Sequence, residues 1–167
     1  TSVGDANTSV DSVYGRGGTF DGTGDYITTP SIELNTRYAI SVWATSPFTG
    51  LGGPSYAAGA IVSSIWQNSI LFYEASNQVG FYGSPHCLIS GVSADVWHHY
   101  IFAVNETSRS VYLDGSLIKT CANSVNMTIN RIGTDNAGQI FNGSVDELMI
   151  FNRSLSTDEI SEIYVRG

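Results

Sequence analysis

Two aspartates flank a glycine-rich segment near the start of the chain, and their spacing could support metal chemistry. The segment reads TFDGTGDYITTP and contains Asp21 and Asp25. Calcium takes about six to eight oxygen ligands from carboxylates, backbone carbonyls and water, and glycines could bend such a loop so that its carbonyls point inward. The same residues also suit a tight turn, in which Asp21 forms an Asx turn and Asp25 bonds to backbone amides. The spacing is not that of an EF-hand, so both interpretations stay open.

The remaining acidic residues do not form a pair suited to sugar hydrolysis. Retaining glycosidases need two carboxyl groups about 5–5.5 Å apart. Asp146 and Glu147 are adjacent in VDELMIF, and neighbouring strand residues point to opposite faces of a sheet. Glu74 stands alone in FYEAS. The sequence therefore predicts no hydrolase activity.

The histidines are interpreted as structural. His98 and His99 are consecutive, so on a strand they face opposite sides. His86 stands beside Cys87 after a proline, and a catalytic Cys–His pair would need a third group to orient it. No catalytic residue is predicted.

The segment SSIWQNS contains the best candidates for ligand contacts. Trp66 offers an aromatic face for a sugar ring, and Gln67 and Asn68 follow it with amide donors and acceptors. The alternative is that this ring belongs to a second core layer or a subunit contact.

Two cysteines and five sequons indicate an exported protein. An even cysteine count in a lysine-poor chain favours one disulfide, Cys87–Cys121, over two buried thiols. Neither cysteine has zinc-site spacing. Five N-x-[ST] sequons predict glycosylation near turns and strand ends; they begin at Asn7, Asn105, Asn126, Asn142 and Asn152.

The elements that must position these residues are short strands. Segments with alternating polarity recur along the chain, such as YAISVWATS, with Ile40, Val42 and Ala44 on one face. Asp114-Gly115 predicts a tight hairpin turn. One helix is predicted at the end, where Ser156 and Glu159 form a capping box. Residues 46–59 predict a long Gly/Pro-rich loop.

Composition excludes some partners. The 167-residue chain fits a single domain, residues 1–167, with residues 1–13 as an N-terminal arm. Its formal charge of −8 and the lack of a basic cluster exclude nucleic-acid binding.

The apolar runs are too short to insert into a membrane. The chain begins at Thr1, which we interpret as the start of a mature or excised piece.

The order of several motifs resembles a known family. FDGTGDYITTP is followed by ISVWA, WHHYIFAVN, VYLDGSLI, INRIGTD and FNGSVDELMIFNRSLSTDEISEIY. This series resembles the laminin-G-like domains of the concanavalin A-like lectin/glucanase superfamily over almost the whole chain. The resemblance implies a jelly-roll sandwich of two antiparallel sheets. With the helix predicted from the capping box, the expected fold class is all-β with one short C-terminal helix. The resemblance also implies that Trp43 and Trp97 occupy packing positions.

The same resemblance implies a structural calcium between an early loop and the last strand. Carried over to this chain, the ligands would be Asp25 and Asp146, with Asp21 a weaker candidate; the alternative is that these carboxylates bond to backbone amides. No other cofactor is predicted.

The resemblance also implies a role outside the cell. We expect a non-catalytic recognition or adhesion domain at a cell surface, with a glycan or an extracellular protein as partner. The alternative is a structural subunit of a surface layer or extracellular filament, a homo-oligomer or polymer joined through the arm and the long loop.

Overall fold

The computed structural model describes residues 1–4, 6–8, 12–50, 58–63, 68–135 and 137–167. The described residues form fourteen strands and one helix. The strands are β1 Ser2–Val3, β2 Asn7–Thr8, β3 Gly18–Asp21, β4 Tyr26–Leu34, β5 Tyr38–Thr45, β6 Ala58–Ser63, β7 Ile70–Tyr73, β8 Gln78–Phe81, β9 Cys87–Ile89, β10 His98–Val104, β11 Ser108–Leu113, β12 Ser116–Ala122, β13 Met127–Ile132 and β14 Asn142–Phe151. The helix is α1, Thr157–Arg166. Residues 51–57 of the predicted long loop lie outside the described part.

The strands form two seven-stranded sheets. Sheet A has the order β1-β4-β13-β6-β7-β8-β9, and sheet B has the order β12-β11-β10-β5-β14-β3-β2. All pairings between these strands are antiparallel. The predicted fold class, a two-sheet antiparallel sandwich with one C-terminal helix, is confirmed. Among the described residues, no helix has the length and apolar character that crossing a bilayer requires.

Alternation along the strands builds the core between the sheets. Ile40, Val42 and Ala44 on β5 are fully buried in the main apolar cluster, as predicted. Their neighbours Ser41 and Trp43 point to the outer face of sheet B. Because successive side chains of a strand point to opposite faces, one strand can contribute to the core and to the outer surface.

The two open sides of the sandwich are closed by different devices. The predicted disulfide joins Cys87 on β9 to Cys121 on β12, with their Cα atoms 6.0 Å apart. These are edge strands of different sheets, so the bond links the sheets at that side. At the other side, residues 1–8 supply β1 to sheet A and β2 to sheet B. The predicted arm therefore pairs within its own chain in part, and whether it also joins neighbouring chains stays a prediction.

Helix α1 covers the middle of the outer face of sheet B. Ser156 caps the helix and accepts a hydrogen bond from Glu159 N, while the Glu159 carboxylate accepts one from Ser156 N. Ile160 is buried against Ala39 and Ile101 of the sheet. The predicted capping box is confirmed. Docking on the sheet stabilises a helix that is too short to be stable alone.

Candidate functional site

Asn68 lies at an end of the β7–β8 hairpin, where an aromatic cluster occupies the outer face of sheet A. Trp66 and Gln67, the other two predicted ligand residues, lie outside the described residues. Asn68 is half-buried, and its neighbour Ser69 accepts a hydrogen bond from Tyr82 N at 2.8 Å. The structure thus places Asn68 beside Tyr82, the first residue after β8.

Three rings form the aromatic cluster, which we define as Tyr73, Tyr82 and His86. The Tyr82 and His86 rings stack with centroids 4.7 Å apart, and Tyr73 lies 6.4 Å from Tyr82. His86 is exposed, and its Nδ1 accepts a hydrogen bond from Gly83 N at 3.3 Å. The His86 ring therefore lies against Tyr82 at the surface of the protein.

The carboxylates of the glycine-rich segment make local hydrogen bonds. Asp21 Oδ1 accepts from Thr23 N at 2.6 Å, which is the Asx turn of the first interpretation. The buried Asp25 accepts from Asp21 N through Oδ2 at 3.2 Å. A side chain at Gly4 would collide with Asp25 Oδ1, so the N-terminal segment passes closely over this carboxylate.

Asp146 lies away from Asp25. In the β3–β14 pairing, Val145 is opposite Gly18 and Asn142 is opposite Asp21. Asp146 and Asp25 therefore lie beyond opposite ends of β3, about 13 Å apart along the strand at about 3.3 Å per residue. Asp146 accepts from Tyr14 N at 2.7 Å and from Glu147 N at 2.8 Å.

The structure thus does not bring the two predicted calcium ligands together. Within the described residues, no group of three or more His, Cys, Asp or Glu side chains is arranged to hold a metal ion. The contacts of Asp25 and Asp146 are those of the alternative that assigned both to backbone amides. Calcium binding stays a prediction.

A bulge in β14 changes the orientation expected for Asp146 and Glu147. The pairing with β5 shifts between Asp146 and Met149, and Glu147 adopts a positive φ of 48°. Asp146 is opposite Trp43 and thus on the outer face of sheet B, where Glu147 is also exposed. The predicted alternation fails at this point because the bulge adds a residue to one strand. Asp146 is nevertheless buried and bonded to backbone amides.

The consecutive histidines face opposite sides, as predicted. His98 Nδ1 lies 2.7 Å from Asp114 Oδ2. His99 Nε2 lies 2.8 Å from Ser41 Oγ on the outer face, where Trp43 and Tyr164 of α1 cover the ring.

Ser41, His99 and Asp114 are not arranged as a catalytic triad. A triad requires the acidic group to orient the histidine ring. Asp114 instead accepts from the backbone N of His99 at 2.9 Å, and His99 Nδ1 has no hydrogen-bond partner among the described residues. Ser41 and His99 are each 1% exposed. The pair is therefore part of the packing beneath α1.

A groove lies between β14 and the end of α1. Its volume is about 340 Å³, which is within the usual range for small-molecule sites. Apolar and aromatic side chains line it together with one carboxylate and one guanidinium: Trp43, Glu147, Met149, Phe151, Ile163, Arg166 and Gly167. The family resemblance assigned Trp43 to packing, and the groove was not predicted because nothing in VDELMIF indicates a bulge.

The five predicted glycosylation sites differ in accessibility. Asn7, Asn105, Asn126 and Asn152 are exposed. Asn142 is half-buried, and its Nδ2, the atom that would carry the sugar, donates to Thr49 O at 2.8 Å. Occupancy of all five stays a prediction, and the geometry favours the four exposed asparagines over Asn142.

Comparison with known proteins identifies the family. A laminin G family model, described as the concanavalin A-like lectin/glucanases superfamily, matches residues 21–161. The chain belongs to this laminin-G-like family. The predicted resemblance is confirmed. The matched residues include most of the strands of both sheets. A search of curated proteins gives no match.

Solved structures with this laminin-G-like fold include binding domains and enzymes. Domain 4 of an extracellular arabinanase from Geobacillus stearothermophilus, in complex with arabinotriose, has a TM-score of 0.72 at 17% identity, covering 96% of this chain and 82% of that chain. The receptor-binding domain of botulinum neurotoxin C/D mosaic serotype has a TM-score of 0.68 at 16% identity, covering 99% and 46%. Trypanosoma rangeli sialidase has a TM-score of 0.59 at 14% identity, covering 90% and 27%.

At these identities the similarity establishes the fold alone. The laminin-G-like chain spans less than half of the toxin domain and about a quarter of the sialidase. Because the same sandwich occurs in binding domains and in a sialidase, function has to be argued from the side chains of this chain.

Proposed function

We propose that this laminin-G-like chain is a non-catalytic recognition domain that binds glycans outside the cell. The observation that carries the proposal is the exposed His86 ring, stacked on Tyr82 beside Asn68. A sugar presents apolar C–H groups on one ring face and hydroxyls at its edge. A supported aromatic ring with a nearby amide matches both features.

The position of the cluster supports the proposal. Trp66 and Gln67 directly precede Asn68 in the chain, and Asn68 lies at the same end of the β7–β8 hairpin as Tyr82. Tyr73 and Tyr82 contact apolar residues of the sheet, which hold the stacked rings in place. A rigid platform loses little conformational entropy on binding a ligand.

We propose a non-catalytic role because of the positions of the Asp146 and Glu147 carboxylates. Asp146 is buried and accepts two backbone hydrogen bonds, and only Glu147 of this pair is exposed. Hydrolysis of a glycosidic bond requires a proton donor and a second carboxylate on either side of that bond. The described residues therefore support binding rather than bond cleavage.

The proposed location outside the cell is supported by the disulfide and by the sequons. The Cys87–Cys121 disulfide is compatible with an oxidising compartment. Four of the five sequons are exposed, as glycosylation outside the cytosol would require.

A glycan array tests the proposal with three single variants. We expect specific binding by the native chain and a several-fold to roughly tenfold loss for Trp66→Ala and His86→Ala, because each removes a stacking surface. Tyr14→Ala is the matched control, since Tyr14 is 73% exposed and lies outside the aromatic cluster. An array without hits, or hits that neither variant weakens, would contradict the proposal.

A second candidate is a structural subunit of a surface layer or filament. Strands β1 and β2 favour it, because each has only two residues, is exposed and pairs with a sheet edge. Such short pairings could exchange between copies at low cost. Size-exclusion chromatography and negative-stain microscopy distinguish the two: monomers fit the recognition domain, and polymers or rings fit the subunit.

A further inference from the structure

We propose that the groove between β14 and α1 binds a small organic ammonium ion. This groove lies on the outer face of sheet B, whereas the aromatic cluster lies on sheet A, so the inference is independent of the glycan proposal. It follows from the shape of the groove, the charges around it and the side chains that form its walls.

The shape depends on the β14 bulge. The pairing of β14 with β5 is interrupted between Asp146 and Met149, and Glu147 adopts a left-handed conformation there. A non-glycine residue with positive φ carries conformational strain, which often accumulates at binding sites. The conformation turns the Glu147 side chain to the rim of the groove instead of into the sandwich.

The walls are largely apolar. Met149, Phe151 and Ile163 contribute aliphatic and aromatic surface, and Trp43 contributes an indole. The indole packs against Tyr164, whose ring stacks at 5.8 Å, and against His99, whose ring lies 5.2 Å away. A groove of about 340 Å³ with such walls can take a compact ligand that has an apolar body.

The charge at the rim is negative. Glu147 is exposed and has no ion-pair partner among the described residues, whereas Arg166 pairs with Glu162. The Asp146 carboxylate lies one residue from Glu147 and opposite Trp43. Glu147 thus gives the groove an unpaired negative charge, because the one guanidinium that lines it, Arg166, is paired with Glu162, and the chain as a whole has a formal charge of −8. This field attracts cations and repels anionic ligands.

An organic ammonium ion matches all three features. Its charge complements Glu147, its carbon substituents contact the apolar walls, and indole is the side chain that attracts ammonium groups best. A metal ion is a poor fit, because hard cations require several oxygen ligands and most of these walls are carbon. An acidic sugar would encounter like charge at the rim.

Choline and its neutral isostere 3,3-dimethyl-1-butanol provide the test by calorimetric titration of the intact chain. We expect choline to bind at least about tenfold more tightly than the alcohol, because the two differ mainly in charge. Glu147→Gln keeps the side-chain shape, and we expect it to weaken choline binding about tenfold. Choline binding should also weaken as salt is raised.

Glu33→Gln is the matched control, since it makes the same charge change at an exposed strand residue of sheet A. We expect it to leave choline binding unchanged, and thermal melts verify that both variants are folded. Three results would overturn the inference: equal affinity for choline and the alcohol, no choline binding by the native chain, or equal effects of the two substitutions. None of these results bears on the glycan array.

Discussion

Burial lowers the pKa of His99 to about 4, although the nearby Asp114 carboxylate acts in the opposite direction. The imidazole lies between Ser41, Trp43 and Tyr164 beneath the helix. Its folded pKa is therefore below its usual value of 6.5. A group with a depressed folded pKa favours folding above the unfolded pKa, and this contribution is lost as the pH falls through the folded pKa.

For His99 we predict a loss of stability between about pH 6.5 and pH 4, because the unfolded chain binds a proton that the folded chain excludes. Urea unfolding at pH 7.5 and pH 5 should show a loss of roughly 1–2 kcal/mol from this group. His99→Gln should have a weaker pH dependence, whereas His86→Gln, at an exposed histidine, should retain it. Equal pH dependence in the two variants would contradict the prediction.

Thermal melts with calcium and chelator test whether Asp25 or Asp146 binds the ion. If the ion binds at Asp25 or Asp146, we predict that calcium raises the melting temperature and that chelator reverses the rise, because an ion bound only to the folded state stabilises it. Asp146→Asn should remove the effect for a site at that residue, with Asp158→Asn, in the first turn of α1, as control. A melting temperature that chelator leaves unchanged would count against both carboxylates.

At the scale of elements, α1 and the β14 bulge shape the outer face of sheet B. The helix is fixed by its capping box and by one fully buried side chain, Ile160, which is 1% exposed. The bulge places Glu147 and Met149 beside the helix end, and together these elements create the groove. The groove therefore depends on how firmly α1 is docked.

We predict that Ile160→Ala destabilises the chain by roughly 2–4 kcal/mol, because it leaves a cavity between the helix and the sheet. Val165→Ala in the same helix is the control, since Val165 is 80% exposed and should cost less than about 0.5 kcal/mol. Chemical denaturation measures both free energies. Similar costs would mean that the contact of Ile160 with Ala39 and Ile101 contributes little.

At the scale of the whole molecule, the two sheets are held together by the core and at both open sides. The disulfide and the hydrogen bond from Lys119 Nζ to Leu88 O connect β12 with β9. The N-terminal residues connect β4 with β3 at the other side. Both devices constrain edge strands, which would otherwise be free to pair with other chains.

We predict that removing the disulfide lowers the free energy of unfolding by roughly 3–4 kcal/mol, since the bond closes a loop of 34 residues in the unfolded chain. Urea unfolding with and without reductant measures this difference. The double variant Cys87→Ala/Cys121→Ala should have the lower stability and be insensitive to reductant. A native chain equally stable in both conditions would contradict the prediction.

Features governed by local interactions were predictable from the sequence. The alternation in β5 located its core face, because residue period and strand geometry are linked. The Asp114-Gly115 turn and the Ser156–Glu159 capping box depend on residues close in sequence, and both are present with the expected geometry. Motif order supplied the sandwich fold, and the even cysteine count favoured the disulfide.

The site depended on long-range geometry that no local pattern encodes. The register of β3 against β14 placed Asp25 and Asp146 at opposite ends of a strand, although both motifs matched the family. The β14 bulge exposed Glu147 beside Trp43, and the pairing of β7 with β8 brought Asn68 next to Tyr82, on which His86 stacks. The sequence by itself determined the elements and their order. Only the tertiary structure decided which side chains meet, because strand register and bulges depend on packing between segments distant in the chain.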